Sequence, residues 1–359
     1  MLFSKNIDNR NSYIELCRFI ACYLIFSFHS FGIFTGGWIM VEFFYMLSGY
    51  FTMKYMRKNQ TNTDDIVISY PFKKLSRIMP YALVGIILNM ICTIVVKRLK
   101  GKEVVRFLEY AIVNVLFLPL TGVLPYNNYV SDDYSTFYLI SYELWYVCTL
   151  FVAIPVMILI VSLFHEITIK WLSIYCPFLI YGYIIYKSGT IVGWHEANNT
   201  FLFLNLRALA GVFLGGAVFY LSEFISQKKY TKFGKFCITF IEIVFFLTVC
   251  VMALGDHFLV EILAILFLLT SLSISFSMKS YTSLVKNKVF NTLGSLSLPI
   301  YCLHQPIRRV LGYSDFLSEF CKSKMIVFVI CMMVSLILMM LIENGRFFVT
   351  KMKSYFICE

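Results

Sequence analysis

Eleven long apolar runs take up most of this chain, and each must find a solvent that tolerates it. They are Ile14–Ile33, Trp38–Met56, Ile78–Val96, Phe107–Leu124, Leu139–Leu163, Ile169–Tyr186, Phe201–Phe224, Phe236–Leu254, Leu259–Met278, Leu293–Leu311 and Met325–Phe348. A helix of about 20 apolar residues matches the hydrocarbon thickness of a bilayer. The 359 residues are 59% apolar and only 14% charged, with a mean hydropathy of +0.77. Soluble domains run about 45–50% apolar and about 25% charged, so a soluble globular protein is excluded, as are disorder, collagen-like repeats and a small disulfide scaffold. The runs are continuous rather than alternating in blocks of about ten, which excludes a transmembrane barrel. About 212 apolar residues suffice for roughly ten crossings and leave no room for a separate soluble domain. The expected fold is an all-α polytopic membrane protein, one bundle of about ten transmembrane helices spanning residues 1–359, with short cytoplasmic tails at 1–13 and 349–359.

The eleven cysteines fall mostly inside apolar runs, with no C-x-x-C pair and no Cys/His cluster at metal-ligand spacing, so no metal is expected. The net charge of +11 reads as the basic excess of cytoplasmic loops rather than as a nucleic-acid surface. The first run follows thirteen largely polar residues and lacks a small-residue cleavage site, so it is expected to stay as a helix. Basic clusters at Lys54/Arg57/Lys58 with Lys73/Lys74/Arg77, at Lys97–Arg106, at Lys228–Lys235, at Lys279–Lys288 and at both termini are all expected on the cytoplasmic side. The loops Phe34–Gly37, Thr121–Thr136, Ser188–Thr200 and Gly255–His257 hold no Lys or Arg and are expected outside. The clusters flanking Ile78–Val96 cannot both be inside if that run crosses once. Either the run is a re-entrant or lying element, helped by Pro80 and Asn89 inside it, or one cluster is outside despite its charge; the non-spanning reading is preferred and leaves ten crossings with both termini inside.

A charged side chain at mid-bilayer costs at least about 2.5–3.5 kcal/mol on insertion scales, so each one needs a reason. The first run holds Glu15, Arg18 and His29. Arg18 and His29 are eleven residues apart, about three turns, which puts them within about 20° of one face and about 16 Å apart along the axis. A structural account pairs Glu15 with Arg18 at i,i+3, but it leaves His29 unexplained. Histidine is the usual choice for taking a hydroxyl proton near neutral pH. Glu42 opens the second run, and Ser48-Gly49 are small residues that let helices approach closely. Lys73, Lys74 and Arg77 stand before Pro80, either as a solvated basic loop or as a phosphate site. Further along come Glu143 and Trp145, Arg207, the solitary Glu242 and Glu261, which read as bundle glue, and His304. A histidine such as His304 is more often a satisfied core residue than a catalyst.

In combination these residues resemble the acyltransferase family 3 integral membrane proteins, which O-acylate bacterial surface polysaccharides and other exported acceptors. Arg18 and His29 meet the R-x10-H signature, and Phe43-Phe44-Tyr45-Met46-Leu47-Ser48-Gly49 meets the phenylalanine-rich S-G element. Lys74, Arg77 and Pro80 meet the basic segment before a proline, with Lys74 where arginine is common. Glu143 and Trp145 look like the middle-helix element, and Ser297, Tyr301 and His304 look like the late S-Y-x-x-Y-x-x-H-type element. The resemblance runs from residue 13 to about residue 310. It implies transfer of an acyl group, acetyl first among them, from acyl-CoA to a hydroxyl of an exported glycan, in a bacterial inner membrane.

On that resemblance His29 is the base, Arg18 holds a donor oxygen or balances developing charge, and Glu42 or Glu143 orients the imidazole. Lys73, Lys74 and Arg77 grip the CoA phosphates. Glu42, Ser48, Trp145, Arg207, Tyr301 and His304 are the expected substrate-binding set. No permanently bound cofactor is expected, since acetyl-CoA is a co-substrate. The partners are acyl-CoA, the glycan acceptor and the lipid bilayer, with no nucleic acid; a homo-oligomer stays open. The alternative from another class is a transporter or flippase passing a polar solute, whose paired half-repeats with broken helices are not seen in the sequence.

Overall fold

A computed structural model describes residues 10–59, 63–119, 121, 140, 142–192, 200–255, 260–311 and 323–357. The expected tails at 1–9 and 358–359, and the expected outer loops across 122–136, 193–199 and 256–257, lie outside the described residues. Among those described there is no strand. Eleven α-helices follow in order: α1 Ser12–Phe31, α2 Met40–Lys58, α3 Thr63–Lys97, α4 Lys102–Val115, α5 Trp145–Leu163, α6 Glu166–Ser188, α7 Thr200–Gln227, α8 Lys232–Met252, α9 Glu261–Ser277, α10 Lys288–Leu311 and α11 Lys324–Ile357. In hydrocarbon a backbone must bond to itself, and helices are what continuous apolar runs allow.

Seven of the helices, α1, α3, α5, α6, α7, α8 and α11, contain stretches long and apolar enough to cross a membrane. Three more run through the bundle without meeting that standard. Helix α9 has only 17 residues, while α2 and α10 carry the buried polar groups Glu42, Ser48, Asn291, Ser297 and His304.

The local sequence explains how the ends are set. Asn11 caps α1 by accepting from the backbone N–H groups of Tyr13 and Ile14 at 3.1 and 3.3 Å, and Gly32 ends it at φ +59°, where glycine carries no steric penalty. Helix α7 is largely buried and packs against α2, α5, α6 and α9. The α2–α7 crossing is tight: a Cβ on Gly215 would sit 2.6 Å from the Gly49 Cα, and one on Gly49 would strike the Val212 carbonyl. Ser48-Gly49 is therefore a close-approach point between helices.

Helix α3 corrects the expectation for Ile78–Val96, which is not re-entrant. It is one continuous helix of 35 residues through Pro71 and Pro80, about 52 Å long. Its start lies beside the end of α2, where Tyr70 and Tyr55 rings are 4.4 Å apart. Further along, Gly85 abuts the Cys302 carbonyl of α10, and near its other end the Asn89 side chain accepts from Arg309 at 3.3 Å. A proline removes only its own N–H and crowds one carbonyl, and neighbouring helices make this tolerable in a membrane span. The helix that does not run through the bundle is α4, 14 residues with Glu103 and Glu109 on its exposed side. Arg98 and Lys100 accordingly stand at the opposite end from Lys54 and Arg57, against the expectation that all basic clusters share one side.

Candidate functional site

The site is built where α1 and α10 lie side by side and point the same way. At their starts the Ser12 hydroxyl accepts from the Asn287 N–H at 3.0 Å. Midway, Cys22 donates to the Ser297 carbonyl at 3.3 Å. At their ends Arg308 donates to the His29 carbonyl. A Cβ on Gly294 would collide with Glu15, so glycine is what permits this approach. Because both helices have the same rise, one register brings His29 and His304 together, with ring centroids 5.7 Å apart.

Between α1, α2, α3, α5 and α10 lies a cavity of about 290 Å³. Arg18, Lys74 and Arg77 mark one end and His304 the other, with Ser48, Tyr146, Ser297 and Tyr301 also on the lining; Ile25, Phe26, Phe44, Leu47, Phe51 and Leu150 supply apolar wall. Arg18 is held in place by Glu15, whose two carboxylate oxygens accept from one guanidinium nitrogen at 3.1 and 2.9 Å. The i,i+3 pair and the cavity position therefore coexist in one side chain. Lys74 and Arg77 share a face of α3 at i,i+3 spacing, whereas Lys73, turned by about 100°, is exposed and sits 6.0 Å over the Tyr55 ring. Lys73 is not on the cavity lining.

The imidazole of His304 is fully buried. Its Nδ1 lies 2.7 Å from the Tyr301 carbonyl oxygen. A carbonyl has no proton to give, so Nδ1 must carry the hydrogen and Nε2 the lone pair. No hydrogen-bond partner for Nε2 is found among the described residues. His29 packs against Phe28 and His304, is partly exposed, and is not on the cavity lining.

The other predicted residues gather elsewhere. Glu42 accepts from Arg207 Nε at 2.6 Å and from the Tyr181 hydroxyl, and Arg207 also donates to the Trp38 carbonyl at 3.2 Å. The guanidinium lies 5.6 Å from the ring centres of both Trp38 and Trp145. Glu42 and Arg207 are entirely buried, and neither they nor Trp145 lines the cavity. Glu143 sits in a short 3-10 turn, Tyr142–Leu144, leading into α5; its side chain is buried and its backbone carbonyl accepts from the Tyr301 hydroxyl. Glu242 and Glu261 have partners of the kind expected of bundle glue. Glu242 accepts from Ser275 and, at 2.8 Å, from Thr282, while Glu261 accepts from the Thr190 hydroxyl at 2.5 Å and the Ile191 N–H at 2.8 Å.

Three residues of this region escape the sequence reading. Tyr146 faces the cavity, 3.4 Å from the Ser48 hydroxyl and between the rings of Tyr45 and Tyr301. Its signal was a phenol in an apolar run immediately after Trp145. Tyr181 and Arg308 had no local signal, since each acts on a helix far away in sequence.

The fold and this cavity define a polytopic helical membrane protein with a cationic mouth and a histidine-bearing interior. The acyltransferase domain family model matches residues 11–344, nearly the whole chain, and the chain belongs to that family of membrane acyltransferases. No curated protein and no solved structure matches it.

Proposed function

We propose that the protein is an integral membrane O-acyltransferase that moves an acetyl group from acetyl-CoA to a hydroxyl of an exported or surface glycan. The observation that carries this reading is the polarity of the cavity, cations at one end and His304 at the other with largely apolar wall between; His29 packs against His304, about 16 Å along α1 from Arg18. A phosphate-bearing thioester matches that profile. Arginine and lysine hold the CoA phosphates, the pantetheine arm lies along the apolar wall, and the acyl carbon arrives near the imidazoles. Arg18, Lys74 and Arg77 form the phosphate grip. His29, partly exposed at the other end, takes the proton of the acceptor hydroxyl. Glu143 backs the site through the Tyr301 hydroxyl that its carbonyl receives.

The donor side faces the cytoplasm, where acyl-CoA is found, and the acceptor side faces outward across a bacterial inner membrane, with both termini inside. Purified protein in detergent or nanodiscs, given acetyl-CoA and a glycan preparation, is expected to release free thiol and to add acetyl-sized mass increments to the glycan. Thiol release that is independent of the glycan, with no mass gained, would overturn the acceptor assignment; no thioester consumption with any hydroxyl acceptor would overturn the donor.

A further inference from the structure

We infer that His304, rather than His29, is the residue that meets the thioester, and that it carries the acyl group covalently before the acceptor receives it. The inference rests on the donor reading above and goes beyond it by dividing the chemistry between two histidines. Three observations lead to it. His304 is on the cavity lining that also holds Arg18, Lys74 and Arg77, whereas His29 is not. The Tyr301 carbonyl fixes the proton on Nδ1, which leaves Nε2 as a lone-pair nitrogen from the outset, without a base to prepare it. That nitrogen is buried with no hydrogen-bond partner found among the described residues, a costly arrangement unless a substrate atom comes to it.

Nε2 of His304 attacks the thioester carbonyl carbon. The C–N bond forms, the C–S bond breaks, and CoA leaves as a thiolate that takes a proton from water at the cationic mouth. The hydrogen on Nδ1 stays where it is, so the intermediate is an acylimidazolium whose charge lies against the Tyr301 carbonyl. The acceptor hydroxyl then gives its proton to His29, 5.7 Å from His304 ring to ring, as its oxygen attacks the acyl carbon. The C–O bond forms, the C–N bond breaks with its electron pair returning to Nε2, and His29 releases the proton to water. Neither histidine can stand in for the other: one is walled into the donor cavity and the other is partly open.

Isotope exchange separates the two half-reactions. Wild-type protein incubated with acetyl-CoA and labelled CoA, without any acceptor, is expected to scramble label into acetyl-CoA. His304→Asn, which retains a donor for the Tyr301 carbonyl, is expected to lose both exchange and transfer while keeping the wild-type melting temperature. His29→Ala is expected to lose transfer to the glycan by about 10²–10⁴-fold, the usual contribution of a general base, with exchange reduced far less. Acid-quenched wild-type protein should yield a peptide containing His304 that is heavier by one acetyl group and loses it in hydroxylamine. Transfer by wild type with no detectable exchange would overturn the covalent step while leaving the acyltransferase reading intact. Exchange that is lost in His29→Ala and retained in His304→Asn would reverse the assignment. Should the asparagine variant fail to fold, the wild-type exchange, the acylated peptide and the His29→Ala measurements still decide the matter.

Discussion

Two charged regions lie inside this bundle, and they are built on opposite plans. Around Glu42 and Arg207 every visible charge is matched: carboxylate, guanidinium, phenol and carbonyl close on each other between two indole rings, with no opening toward the cavity. Around Arg18, Lys74 and Arg77 three cations border a void, with Glu15 paired to Arg18 at 2.9 Å. A closed pair in a dry interior fixes how helices meet, because removing one member strands the other. Cations bordering a void leave space beside them for an anion. Both kinds occur in the same chain, and geometry tells them apart.

The largest expected effect breaks the second region alone. His29→Ala should lower glycan transfer by about 10²–10⁴-fold in a turnover assay while expression and melting temperature stay near wild type. Retention of more than about a tenth of the wild-type rate would remove His29 from the chemistry. The converse experiment strikes the first region. Glu42→Ala strands Arg207 in a fully buried site and should cost about 3–5 kcal/mol of stability, read as a loss of folded protein in detergent melts; a stable Glu42→Ala variant would show that the pair is not a closed one.

Helix spacing comes next. Gly215→Val places side-chain atoms where the Gly49 Cα lies and should cost about 1–3 kcal/mol through overpacking, with activity following the folded fraction. The finest test lies within one helix turn. Lys74→Gln with Arg77→Gln should raise the KM for acetyl-CoA by about tenfold or more, given about 1.5–3 kcal/mol per charged hydrogen bond, and should weaken the salt dependence of that KM. Lys73→Gln should change it by less than about twofold, within the small effects of exposed charges, because Lys73 points away from the cavity. Equal effects at Lys73 and Lys74 would place the phosphates at the surface instead.

How far these differences were legible beforehand depends on the range over which each signal acts. The bundle could be read because an apolar run declares itself locally, and ten of the helices follow those runs. The error at Ile78–Val96 came from weighing Pro80 and two flanking basic clusters above the continuity of the run; tertiary support from α10 overrode both. That Arg18 and His29 share one helix was legible because the run is continuous and helical geometry carries eleven residues of spacing to nearly one face, yet of the two only Arg18 lines the cavity. No such rule joins Glu42 to Arg207, 165 residues away, so those two and Trp145 read as substrate contacts although they share a separate enclosure. Lys73 and Lys74 look equivalent as letters and differ only by a rotation about α3.

The pairing of α1 with α10 has a consequence for biosynthesis. Their first hydrogen bond, Ser12 to Asn287, joins residues 275 positions apart, and at about 5–20 residues per second a ribosome takes roughly 14–55 seconds to span that interval. Throughout that time α1 sits in the bilayer with its arginine already paired to Glu15 and its histidine without the α10 ring it packs against. A nascent or prematurely terminated chain therefore holds one histidine of the pair without the other, and the cavity that α1 and α10 line together is complete only after the tenth helix has been made.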